Sequence, residues 1–228
     1  MPESIVAAVR RSGAKLVYVA NPDNPSGAFV DRAALAALRD ALPGDVLLFL
    51  DEAYADFVPP SALPAEAIDP RTIRTRTFSK AYGMAGARIG YALASREVIA
   101  VFQKLRLHFG VNRTAQIGAL AALDDGAFLR GVVAEVERGR EEYHALAAAH
   151  GLRSLPSWTN FVCIEIGSRA MAETMVATLL ELGVFVRKPW APPIDGFVRI
   201  TVGTVAERAR FAEIFAEALE RVREKATR

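Results

Sequence analysis

Short apolar runs alternate with longer stretches of helical periodicity along most of the chain. Residues 15–20 (KLVYVA) and 46–50 (VLLFL) read as buried strands. Between them, Asp31 is placed to cap a helix over 32–41 that Pro43-Gly44 ends. Strands are predicted at 73–78 and 89–94, and helices at 96–108 and 113–123. A long charged helix over 128–150 stops at Gly151. A second set follows: a strand at 160–166, a helix at 169–182, and strands at 184–186 and 197–202. The last helix opens on Thr204-Val205-Ala206-Glu207, a capping box in which hydroxyl and carboxylate satisfy the first free amides. Phe211, Ile214, Phe215, Leu219 and Val222 mark one face of it. This alternation predicts an α/β architecture with parallel strands. Two domains are expected, 1–127 and 128–228, with the long helix as connector.

Composition narrows the class. Of 228 residues, 52% are hydrophobic and 24% charged, enough for a full core. The formal charge of +2 is spread without basic or acidic blocks, so no nucleic-acid partner is expected. No apolar run approaches the roughly 20 residues that span a bilayer, so no membrane partner is expected either. The first residues lack a basic segment followed by an apolar one; no signal peptide is expected, and a cytoplasmic protein is the default. Cys163, the single cysteine, sits in the apolar run Phe161-Val162-Cys163-Ile164 and reads as a buried small hydrophobe. His108, His144 and His150 show no metal-ligand spacing, and no metal site is expected.

Four motifs lie at the carboxyl ends of predicted strands, where open α/β sheets place ligands. In Asn21-Pro22-Asp23-Asn24-Pro25-Ser26-Gly27 two Asn-Pro steps force an irregular turn. That turn has a purely structural explanation, or it projects the Asn24 amide into a pocket. Asp51-Glu52-Ala53-Tyr54 follows a buried strand. Asp51 either caps a turn there or, with Tyr54, holds a cationic ring nitrogen. The segment 77–90 (TFSKAYGMAGARIG) joins two hydroxyls, a lysine and an arginine among glycines. Lys80 in isolation is a solvated lysine; with Thr77, Ser79 and Arg88 nearby it is a nucleophile beside a phosphate cradle. Arg199 stands in the apolar strand VRITVG and is either exposed on an edge or paired with an anion.

Together these motifs carry a resemblance that none carries alone. NPDNPSG, DEAYADF, RTFSKAYGMAGARIGY and RITVG, in this order, resemble the fold-type I pyridoxal-phosphate aminotransferases of class I/II. Within them the histidinol-phosphate branch is the most similar. Ser26 replaces a usual Thr, and Met84 a usual Leu. The resemblance spans essentially the whole chain. It implies the fold-type I architecture: the mostly parallel sheet of a large domain, incomplete here, plus a smaller C-terminal α/β domain.

By the same resemblance, pyridoxal 5'-phosphate is the cofactor, with Lys80 as the amine that condenses with its aldehyde. Asp51 would keep the ring nitrogen protonated. Tyr54 and Asn24 would bond the phenolic oxygen, and Thr77, Ser79 and Arg88 the phosphate. Arg199 would grip a substrate carboxylate or phosphate, and Arg187, the alternative being a surface residue, a substrate phosphate. The implied activity is amine transfer from an amino acid or amino-alcohol phosphate to a 2-oxo acid, in a homodimer. A decarboxylase of the phosphothreonine type shares the same residues, and an inert binding module is a third alternative. Residues 106–112 (RLHFGVN) depart from the branch's R-x-P-F-N-V-N, which loosens the substrate assignment. The resemblance also implies that the family's N-terminal arm, first phosphate-binding turn and ring-stacking aromatic lie outside this chain, leaving a sheet edge and apolar faces exposed.

Overall fold

A computed structural model describes residues 2–63 and 69–227. They form two compact units, Met1–Asp23 with Phe29–Val132, and Asn24–Ala28 with Val133–Arg228.

The first unit opens on a helix absent from the predicted elements, α1 (Pro2–Ser12), followed by β1 (Leu16–Ala20), α2 (Arg32–Ala41) and β2 (Leu47–Asp51). Asp31 caps α2 as predicted, accepting from the Ala34 amide at 2.8 Å. Val6 and Val9 of α1 and Leu35 and Leu38 of α2 recur at helical spacing. They pack with Val17, Leu48 and Leu50 into one core. Strand alternation then sends Leu47, Phe49 and Asp51 to the opposite face of β2.

β3 (Thr72–Thr77) and β4 (Gly90–Leu93) complete the sheet in the order β1-β2-β3-β4. The β1–β2 and β2–β3 pairs are parallel, in line with the expected mostly parallel sheet. β4 is antiparallel to β3, because residues 78–89 form turns instead of a crossover helix.

The next helices are α3 (Arg96–Leu105), α4 (Arg113–Asp124) and α5 (Gly126–Ala149). α3 ends three residues before the predicted limit. The Arg106 amide closes its last turn onto Phe102 at 2.9 Å, and Phe109 takes a left-handed φ of 58°. Leu16 and Tyr18 on edge strand β1, and Leu105, Ile117 and Leu120, are exposed.

The second unit holds a three-stranded sheet, β5 (Ser154–Leu155), β6 (Phe161–Glu165) and β7 (Phe197–Thr201), with α6 (Arg169–Glu181) and α7 (Val205–Thr227). The predicted parallel arrangement does not hold here: both pairs are antiparallel. Nor do residues 184–186 form a strand. After α6 the chain pairs with β7 at the isolated Arg187–Arg199 bridge, then reverses through 188–196. Pro189, Pro192 and Pro193 lack the amide hydrogens needed to extend that ladder.

Val162, Ile164, Met175, Leu179, Val198, Phe215 and Leu219 form the second core. Cys163 is buried, as predicted, with Sγ 3.0 Å from the Pro25 carbonyl. The predicted capping box also forms. The Thr204 amide donates to Glu207 at 2.7 Å, and the Glu207 amide to Thr204 Oγ1 at 3.4 Å.

Candidate active site

In the first unit the polar side chains gather at the carboxyl ends of β2 and β3. Asp51 is the last residue of β2, and its side chain lies on the face opposite the Leu48–Leu50 core. Its Oδ1 accepts from the Ala53 amide at 3.1 Å and its Oδ2 from the Tyr18 hydroxyl at 2.6 Å. The parallel register explains the second contact. Ala20 lies opposite Asp51, and Tyr18, two residues earlier, projects from the same face. Its ring stacks on Phe49 with centroids 5.6 Å apart. Although the residue as a whole is exposed, partial burial of the phenol, then the bond to Asp51 and its charge, push the Tyr18 phenol up to about 12.

Beyond β3, the Lys80 amine lies 5.3 Å from the centroid of the buried Tyr54 ring. The turn is closed locally, since the Gly83 amide donates to the Lys80 carbonyl at 3.0 Å. Gly83, with φ 69°, supplies a left-handed backbone at little steric cost. The Thr77 hydroxyl donates to Ser79 Oγ at 2.9 Å, and the Ser79 amide to Thr77 Oγ1 at 3.1 Å, so the two hydroxyls form one cluster. Arg88 is exposed, left-handed at φ 53°, and donates to the Ala85 carbonyl of its own turn at 2.9 Å.

Behind this site Glu52 projects to the other face of the sheet. Its buried carboxylate accepts from Arg74 at 2.9 Å and from Arg76 at 3.0 Å. Asp56, close to the same cations, is pushed above the usual carboxylate range by burial, which the charge of Arg76 opposes.

In the second unit Arg199 donates to Asn24 Oδ1, and its guanidinium lies 4.9 Å over the Phe161 ring. Its Nε is buried without a hydrogen-bond partner. Arg187 is its directly opposed bridge partner, so two cationic side chains leave one face together.

Sequence reasoning missed Tyr18 and the Glu52–Arg74–Arg76 group. A phenol two residues before the end of an apolar strand, and two arginines at alternate positions of β3 after a Glu-bearing strand end, were the available signals.

Residues 3–215 match the aminotransferase class I and II family. The chain belongs to that family. Among curated aminotransferases it is 38% identical over 217 residues to histidinol-phosphate aminotransferase 1 of Dechloromonas aromatica, covering 92% of this chain and 58% of that protein. To histidinol-phosphate aminotransferase of Bacillus subtilis it is 36% identical over 209 residues, covering 90% of this chain and 58% of the other. It also superposes on the crystal structure of histidinol-phosphate aminotransferase from Sinorhizobium meliloti in complex with pyridoxal-5'-phosphate. That match has a TM-score of 0.94 and 41% identity, over 97% of this chain and 62% of that one. The chain thus carries the fold-type I aminotransferase fold over a little more than half the length of these relatives.

Proposed function

We propose that this chain binds pyridoxal 5'-phosphate through Lys80 and serves amine transfer from a donor of the histidinol-phosphate type to a 2-oxo acid. The observation that carries the reading is the Lys80 amine over the Tyr54 ring, at the end of the sheet that also holds the Asp51 carboxylate. The donor set fits a phosphorylated aldehyde on a basic ring: one amine, one carboxylate, a phenol, paired hydroxyls and a guanidinium. When bound, such a cofactor supplies an electron-poor ring that stabilises negative charge on the substrate carbon.

The chain's own residues supply the rest. Lys80 Nζ would hold the aldehyde, and its amine, when free, would move the proton at the substrate carbon. Asp51 holds a proton on the ring nitrogen. Tyr54 and Asn24 take the phenolic oxygen, and Thr77, Ser79 and Arg88 the phosphate. Arg199 and Arg187 bind the anionic end of the substrate. Like charges directly opposed on antiparallel backbone repel, and the buried Nε of Arg199 lacks a partner, so an anion relieves both. A cytoplasmic homodimer completes the proposal, association being supported by the exposed Leu105, Ile117 and Leu120.

The test is to add pyridoxal phosphate to the purified chain, follow the visible absorbance of the lysine-bound cofactor, and assay histidinol phosphate with a 2-oxo acid. Absorbance that disappears in Lys80→Ala, with equal amounts of oxo product and new amino acid, is expected. Absorbance indifferent to Lys80 would overturn the cofactor assignment. Carbon dioxide release without amine transfer, when phosphothreonine is offered in place of histidinol phosphate, would turn the reading to decarboxylation.

A further inference from the structure

The hydrogen bond between Tyr18 and Asp51 joins side chains 33 residues apart in sequence, across the β1–β2 pair. Asp51 is held on both oxygens, by the Ala53 amide and by this phenol, so its carboxylate plane has little freedom to turn. The Tyr18 ring is in turn seated on Phe49.

We infer that Tyr18 is a positioning residue for Asp51: its phenol fixes the plane of the carboxylate in which it would meet a bound ring nitrogen. The inference rests on the role proposed above for Asp51 and extends it to the element that makes that role effective. Tyr18 touches the carboxylate and has no assigned contact with substrate or cofactor. Its hydroxyl remains protonated throughout the working range, because burial, the carboxylate of Asp51 and the more distant charge of Asp23 all oppose ionisation.

Tyr18→Phe keeps the ring on Phe49 and removes only the donor, which makes it the informative substitution. In the cofactor-free chain, the carbon NMR resonance of the Asp51 carboxylate at neutral pH is expected to shift in Tyr18→Phe, because the hydrogen bond at 2.6 Å is lost. The ultraviolet titration of the phenol, isolated from the five tyrosines by difference, is expected to return in Asp51→Asn toward the ordinary value of about 10. With cofactor, the dissociation constant of pyridoxal phosphate rises roughly fivefold in Tyr18→Phe. kcat falls by a similar factor, while KM for the donor is unchanged. A merely structural role would leave the Asp51 resonance where it was. An unmoved Asp51 resonance together with unaltered cofactor affinity overturns the inference. If the wild-type chain takes up no pyridoxal phosphate, the proposed function falls, whereas the cofactor-free resonance and the phenol titration still decide whether Tyr18 governs Asp51.

Discussion

Replacing Glu52 by Gln tests how the sheet beneath the site is held together. The side chains of Glu52 and Arg74 are 2% and 8% exposed, and that of Arg76 is 25% exposed. One carboxylate therefore bridges two cations that water reaches poorly. Burial pulls the Arg76 guanidinium toward neutrality, and the bond to Glu52, the charge of Glu52 and the contact with Tyr91 together more than offset that pull. Gln keeps the shape and one acceptor oxygen, but turns an NH2 toward one of the arginines. The loss comprises at least one charge-assisted hydrogen bond, about 1.5–3 kcal/mol, plus the negative charge that faces both guanidinium groups. Breaking a buried pair on one side typically costs about 3–5 kcal/mol, and we expect about 3 kcal/mol here because Gln retains one acceptor.

Guanidinium denaturation, followed with a probe in the first unit, measures this loss. The control is Asp45→Asn, which breaks the pair of Asp45 with Lys15, whose side chains are 64% and 71% exposed. Such a surface pair contributes about 0–1 kcal/mol. A Glu52→Gln loss no larger than the control's would refute the view that this buried group fastens β2 to β3.

Two further outcomes follow from local geometry. A Cβ on Gly196 would lie 2.1 Å from the Gly167 carbonyl oxygen, which is backbone and cannot swing away. Gly196→Ala is therefore expected to destabilise the second unit by about 2 kcal/mol, measured by denaturation, and an unchanged midpoint contradicts the contact. His144, whose Nδ1 lies 2.8 Å from Ser154 Oγ, is held below its ordinary value of 6.5, first by burial and then by the charge of Arg140. The unfolded chain binds this proton more tightly than the folded one, so the contribution is lost as pH falls from about 6.5 through the depressed folded value. His144→Gln is expected to flatten that part of the stability profile, and an unaltered slope between the two proteins would count against it.

Much of the chain was legible locally. The limits of α2 at 32 and 41 follow from Asp31 and from leucine spacing within one helix, and they match the observed helix. The Thr204–Glu207 box begins α7 because each partner lies within one turn of the other. The motifs around Asp51 and Lys80 were readable because strand ends and turns carry their own residue signatures. What depends on a neighbour distant in sequence was not readable. Residues 184–186 have the composition of a strand, yet only the approach of β7 and the prolines at 189, 192 and 193 decide that a single bridge forms. The direction of β4 followed from how residues 78–89 close on themselves. Asn24–Ala28 packs with the second unit although the residues on both sides of it belong to the first.

The site divides along the same line. The sequence by itself determined which chemical groups are available: an amine at 80, a carboxylate at 51, hydroxyls at 77 and 79, and cations at 88, 187 and 199. Only the tertiary structure decided that Tyr18 holds Asp51, that Glu52 spans Arg74 and Arg76, and that Arg187 opposes Arg199. Those pairings are set by strand register, and register is set by which apolar faces are buried together. A shift of one residue would turn Tyr18 to the other face of the sheet.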